Sequence, residues 1–206
     1  MQSTHILQLK RIVLLFFYSN FCSVVCSVMS DCHDHSHFSL STSSLYQTLD
    51  ELDFERGIWY AAQYDDLERV EKLLRQGVSP DIRDAAGYSP LHYAARAGHD
   101  RICQCLLAAG ASVDAVTRAG QATALHRAAS AGQDGIVSLL LQRGGKPELR
   151  DADGKTALHR AVEQNHVKTA KILLEANPGL KFIFDSKEKL PLDYAGRNEM
   201  VALFAD

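Results

Sequence analysis

Apolar positions along this chain recur in a compound pattern. A short block of leucine and small residues is followed about fifteen positions later by a second apolar block, then by a longer polar stretch. Three first blocks align: Ser89-Pro90-Leu91-His92-Tyr93-Ala94-Ala95, Thr123-Ala124-Leu125-His126-Arg127-Ala128-Ala129 and Thr156-Ala157-Leu158-His159-Arg160-Ala161-Val162. Their leucines, Leu91, Leu125 and Leu158, are evenly spaced to within one position and so define a period. A degraded copy, Leu190-Pro191-Leu192-Asp193-Tyr194-Ala195, places Leu192 one such period after Leu158; another, Gly57-Ile58-Trp59-Tyr60-Ala61-Ala62, places Ile58 one period before Leu91. The second blocks are Leu73-Leu74, Leu106-Leu107, Leu140-Leu141 and Leu173-Leu174. A period of this length signals stacked units, none of which buries its apolar face alone.

Each unit predicts a helix, a short turn, a second helix and a longer loop. Ser89, Thr123 and Thr156 are suited to cap the first helix, because a side-chain oxygen can accept an otherwise orphaned N–H. Pro90 falls at the first helical position, where a missing donor costs nothing. The leucine and paired alanines face inward, and alanine lets neighbouring helices approach closely. Gly98 and Gly132, with Asn165 as substitute, supply the left-handed residue that ends the first helix. Ile102, Cys103, Leu106 and Leu107 give the second helix one buried stripe, and Gly77, Gly110 and Gly144 end such helices. Turn formers such as Asp84-Ala85-Ala86-Gly87 and Asp151-Ala152-Asp153-Gly154 lie in the loops.

With these motifs the chain resembles the ankyrin-repeat family, from about Phe54 to the C-terminus. Tracts outside the repeat, Gln47-Thr48-Leu49 and Asp53-Phe54-Glu55-Arg56-Gly57-Ile58-Trp59, point to one particular small member. The resemblance implies an all-α solenoid of stacked helix-turn-helix units with projecting β-hairpin loops. It also implies a protein-binding function, and a structural role for His92, His126 and His159 in bridging the Ser/Thr cap and neighbouring backbone. The expected organisation is an apolar extension (1–28), a disordered Ser/His-rich tail (29–44) and a repeat domain (45–206). Within the last, an N-terminal cap (54–83) precedes repeats 84–116, 117–150 and 151–184 and a C-terminal cap (185–206).

Departures from the repeat locate its ends. Trp59 stands where other units have His, and Asp65 where they have Gly. The last unit lacks the Ser/Thr cap and carries Asp193 in place of His. Terminal units of a solenoid present one face to water, so irregularity is expected there. One residue is inserted between Gly120 and His126 and should fall at a loop tip. Phe182-Ile183-Phe184 is expected to pack down on the end of the stack.

Residues 12–28 form seventeen uncharged positions after Lys10-Arg11. Three readings fit: translation starting at Met29, a signal or short membrane anchor interrupted by Ser19, Asn20, Ser23 and Ser27, or a buried segment. Cys32-His33-Asp34-His35-Ser36-His37 is rich in metal ligands, yet a structural zinc site needs four ligands held by a fold, so a polar tail is expected. Leu45, Leu49 and Leu52 suggest a short helix leading into the first unit.

Composition narrows the function. A net charge of −3 supplies no basic footprint for nucleic acid. Five cysteines, with Cys103 and Cys105 two apart on one helix, form no disulfide framework and favour a reducing compartment, cytoplasmic and also nuclear. The repeated histidines recur at about 10 Å, one helix-packing distance, too far apart to share a zinc whose His ligands sit at about 2 Å. The sequence contains no phosphate loop, nucleophile elbow or paired-carboxylate motif. The expectation is therefore no enzyme, with no catalytic residue, cofactor or metal site.

The candidate partner-binding face comprises Tyr60, Tyr64, Tyr88, Tyr93, Arg96, Arg127, Ser130, Lys155, Arg160 and Glu163, together with Gln63, on the concave side of the stack. It is aromatic at its N-terminal end and carries Arg96, Arg127 and Arg160 at matching places in the middle; Tyr and Arg are enriched in interface hot spots. The expected partner is another protein, engaged by a monomer through an extended or helical segment with acidic character, without nucleic acid or membrane. The alternative is an adaptor tethered to a membrane through residues 12–28.

Overall fold

The computed structural model describes residues 57–196 and 198–204. The apolar stretch, the Cys/His tail and the leading helix expected around Leu45 to Leu52 lie outside the described residues. Within them, helices follow in pairs: α1 Ile58–Gln63 and α2 Leu67–Arg75, α3 Pro90–Ala97 and α4 Asp100–Ala108, α5 Ala124–Ala131 and α6 Asp134–Gln142, α7 Ala157–Glu163 and α8 Val167–Ala176. Two 3₁₀ turns, Pro178–Phe182 and Pro191–Tyr194, and a short helix α9, Asn198–Ala202, complete the order. None of these helices is long and apolar enough to cross a membrane.

Helix boundaries follow the local chemistry. Ser89, Thr123 and Thr156 are the N-cap residues of α3, α5 and α7, and Pro90 is the first helical residue of α3. The first helices end on left-handed residues: Gly98 (φ 91°), Gly132 (φ 70°) and, where glycine is lacking, Asp65 (φ 59°) and Asn165 (φ 63°). Asp and Asn tolerate this conformation better than other side chains.

The first helices stack side by side, α1 on α3, α3 on α5 and α5 on α7, and the second helices form a parallel row behind them. Ala61, Ala62, Ala94, Ala95, Ala128, Ala129, Ala161 and Val162 fill the front interface and are at most 1% exposed. Only small residues allow such close approach. Ile102, Cys103, Leu106, Ile136, Val137, Leu140, Ala170 and Leu173 seal the space between the rows.

No strand is present among the described residues. The projecting loops are tight turns, each closed by a main-chain bond across its base: Asp84 N–H to Tyr88 O (3.0 Å), Thr117 to Ala122 (3.0 Å), Asp151 to Lys155 (2.9 Å) and Asp185 to Lys189 (2.9 Å). The second loop is one residue longer, and Gln121 takes a left-handed φ of 47° inside it, so the insertion lies at the tip.

At the C-terminal end the expected packing of Phe182-Ile183-Phe184 is corrected. Ile183 packs against the core, whereas Phe182 and Phe184 are 68% and 54% exposed. Ile183 is in extended backbone, so its flanking side chains are directed away from the surface it covers.

Candidate functional site

The recurring histidines are scaffold. In each repeat the ring Nδ1 of the histidine at the third helical position accepts the cap residue's N–H: His92 from Ser89 (3.2 Å), His126 from Thr123 (3.2 Å) and His159 from Thr156 (3.1 Å). The cap hydroxyls lie 2.8–2.9 Å from the same nitrogen. Nε2–H then donates to the next repeat: His92 to Ala122 O (3.0 Å), His126 to Lys155 O (3.0 Å) and His159 to Lys189 O (3.3 Å). At the irregular ends other side chains take over. Trp59 Nε1–H donates to Ile82 O (3.0 Å), and Asp193 Oδ2 accepts Leu190 N–H (2.7 Å). His99 and His166 reach backward, to Gln63 O (3.0 Å) and Ser130 O (3.2 Å).

A second ladder runs beside the first, built on loop carboxylates that the sequence reading did not single out. Asp84 Oδ1 accepts Tyr88 N–H (2.7 Å), and its Oδ2 accepts the Tyr93 hydroxyl (2.5 Å). Asp185 does the same with Lys189 N–H (2.9 Å) and the Tyr194 hydroxyl (2.5 Å). Burial opposes ionisation of Asp185, but these donors and Lys187 N–H outweigh it and hold the carboxyl down to about 2. Asp151 accepts Lys155 N–H (2.9 Å), and Arg160 clasps its Oδ2 through Nε (2.8 Å) and Nη2 (2.5 Å). The signal was present in the sequence: Asp84, Asp151 and Asp185 share one register, two periods and then one period apart, and Thr117 occupies the remaining place.

Two candidate face residues, Tyr93 and Arg160, are therefore tied into the fold. Arg160 also contacts Asp153 (2.7 Å) and Glu163 (3.4 Å), while Lys155, 6% exposed, bonds Glu163 (2.8 Å) and lies over the Tyr194 ring at 4.5 Å. The cations at this end are compensated by Asp151, Asp153 and Glu163. Arg127 differs. Thr117 offers it no carboxylate, and its Nη2 donates instead to the Tyr88 hydroxyl, with the guanidinium 4.8 Å from that ring's centre. Its Nε is buried without a hydrogen-bond partner.

The remaining candidates fall into two groups. Tyr60 and Tyr64 form a tilted ring pair at 4.4 Å, with Tyr64 exposed, and Tyr88 packs on Tyr93 at 5.5 Å. Arg96 is exposed, but it does not match Arg127 and Arg160 in register: it stands four residues after His92, level with Ser130 and Glu163. The residues equivalent to Arg127 and Arg160 are Tyr60, Tyr93 and Tyr194. Burial pushes the Cys103 thiol up to about 12 and also raises that of Cys105, which keeps both protonated and poor nucleophiles at neutral pH.

Comparison with known proteins matches the model of ankyrin repeats (3 copies) to residues 58–151 and 135–206. The human protein "Ankyrin repeat domain-containing protein 39" is 55% identical over 71 residues, 34% of this chain and 39% of that protein. The Bos taurus protein of the same name is 60% identical over 53 residues, 26% of this chain and 29% of its own length. "Calmodulin-binding transcription activator 4" from Arabidopsis thaliana is 40% identical over 103 residues, half of this chain and 7% of that protein. The matched stretches thus span well under half of these relatives.

Proposed function

This chain belongs to the ankyrin-repeat family, whose members generally mediate protein–protein interaction and are typically not enzymes, and on that footing we propose that it is an interaction adaptor. It holds a partner segment of acidic character along the face formed by its loops and first helices, acts as a monomer in the cytoplasm and nucleus, and catalyses no reaction. The observation that carries this reading is the division of labour among the side chains of that face. Histidines, loop aspartates, Tyr93 and Arg160 are consumed by the scaffold. Tyr64 and Arg96 are exposed, and Tyr60, Tyr88 and Arg127 are half-buried. Aromatic and arginine side chains contribute most to protein interfaces, because they bury large areas while retaining directional donors.

A combined Tyr64→Ala, Arg96→Glu and Arg127→Glu variant tests the assignment without touching Arg160, whose reversal would unseat the Asp151 loop. Peptides selected from a random phage-displayed library on the full chain should bind this variant at least tenfold more weakly. Unchanged affinity, with the circular dichroism spectrum intact, would reject the face.

A further inference from the structure

The loop-carboxylate ladder has one rung missing. In three of four loops a carboxylate is held by the side chain nine residues further on: Asp84 by Tyr93, Asp151 by Arg160 and Asp185 by Tyr194. In the fourth, the register residue is Thr117, and Arg127 is left with a buried, unpartnered Nε–H. Arg160 shows what this guanidinium edge does when supplied: Nε and Nη2 converge on a single carboxylate oxygen at 2.8 and 2.5 Å. At Arg127 the same edge meets only the Tyr88 hydroxyl, through Nη2.

The surroundings select the charge of what would complete it. Arg83 Nη1–H crosses to donate to Val116 O (2.5 Å), next to Thr117. The nearby Asp84 is already engaged by Tyr88 N–H and the Tyr93 hydroxyl. Arg83 and Arg127 both bring positive charge to the neighbourhood of His92 and neither makes an ion pair among the described residues, whereas one repeat further on Arg160 and Lys155 are paired with Asp151, Asp153 and Glu163.

We propose that the Arg127–Tyr88 pair is the anchor point of the binding face, and that it takes an Asp or Glu side chain of a partner peptide in the place of the missing loop carboxylate. This assignment rests on the adaptor reading above and names the chemistry recognised by that face. The incoming carboxylate accepts from Arg127 Nε–H and Nη2–H. The Tyr88 hydroxyl, now an acceptor from Nη2, turns to donate to it, as Tyr93 and Tyr194 donate to Asp84 and Asp185. Two of the three ladder clasps use a tyrosine and one an arginine; this site presents both. Arginine's planar fork suits a carboxylate better than an ammonium would.

Restoring the rung from within provides the test. Thr117→Asp supplies Arg127 with an internal carboxylate and should compete with the ligand while leaving every face residue in place. Peptides selected by phage display on the wild-type full chain should share an acidic position. Replacing that residue by Gln should weaken binding at least tenfold, measured by fluorescence anisotropy. Thr117→Asp should weaken the parent peptide to a similar degree, raise the melting temperature and abolish the Glu-to-Gln difference, whereas Thr117→Asn should bind as wild type does. Arg127→Lys, which keeps the charge but not the fork, should lose at least tenfold even if the Asp variant folds poorly. Equal affinity for Glu and Gln peptides, indifference to both Thr117→Asp and Arg127→Lys, or tighter binding of a phosphoserine version would overturn the carboxylate assignment. If the combined face variant still loses binding, that failure leaves the adaptor reading standing; if it too is indifferent, both fall.

Discussion

His92, His126 and His159 each have both ring nitrogens engaged, one accepting a main-chain N–H and the other donating to a carbonyl of the next repeat. That arrangement requires the neutral ring, because a proton on Nδ1 would face the cap N–H. Burial adds to the effect: it brings His92 down to about 4 and lowers His126 and His159 as well. The folded pKa is lower than the unfolded value of about 6.5, so the unfolded chain binds more protons between the two. Stability is therefore complete above about pH 6.5 and falls as pH drops towards 4, by about 3 kcal/mol for His92 alone. The Asp185 contribution lies lower: it is present above the ordinary carboxylate value of 3.8 and is lost progressively as pH falls from there through about 2. Urea denaturation at about pH 7 and about pH 4.5 should show this loss; equal midpoints would contradict the neutral-ring ladder.

At the scale of elements, the loops are as much part of the stack as the helices. Ala152 N–H donates to Gly120 O (2.9 Å) and Ser186 N–H to Asp153 O (3.0 Å), so each tip is seated on its neighbour. Gly154 is needed there twice over. Its φ is 72°, and an added Cβ would lie 2.5 Å from Ser186 Oγ and 2.7 Å from Ser186 N. Gly110, at φ 91°, has open space around it and carries only the backbone requirement. Gly154→Ala should therefore cost about 2–4 kcal/mol and Gly110→Ala about 1 kcal/mol. Thermal or urea unfolding of the two variants checks the order, and equal losses would show that the tips are not close-packed.

Over the whole described stack, each helix packs mainly on helices of its own and the adjoining units, so a substitution acts on its immediate surroundings. The C-terminal end leaves Phe182 and Phe184 exposed on either side of Ile183, which packs on the core. Phe182→Ser with Phe184→Ser should change stability by less than about 0.5 kcal/mol, whereas Ile183→Ala should cost about 1–2 kcal/mol. Urea midpoints distinguish the two; a large loss from the double serine variant would mean that the phenylalanines are covered.

The repeat period, the caps Ser89, Thr123 and Thr156, the helix-ending Gly98, Gly132 and Asn165 and the alanine interface were all legible in the chain, because each rests on local backbone chemistry repeated at fixed spacing. The inward face followed from the same regularity, and the scaffold role of the histidines from the resemblance to ankyrin repeats. The use of the outward side chains did not. Arg127 and Arg160 occupy equivalent positions and look alike in sequence, yet Arg160 is locked to Asp151 while Arg127 lacks that partner. The difference arises nine or ten residues upstream, at Asp151 and Thr117, and takes effect only when the loop folds back over the helix. Lys155 and Tyr93 were withdrawn from the free surface in the same way, and Phe182 and Phe184 were added to it. Local propensity determines which elements form; whether a polar group is spent on the scaffold or left for a partner depends on what the tertiary fold brings within hydrogen-bonding distance.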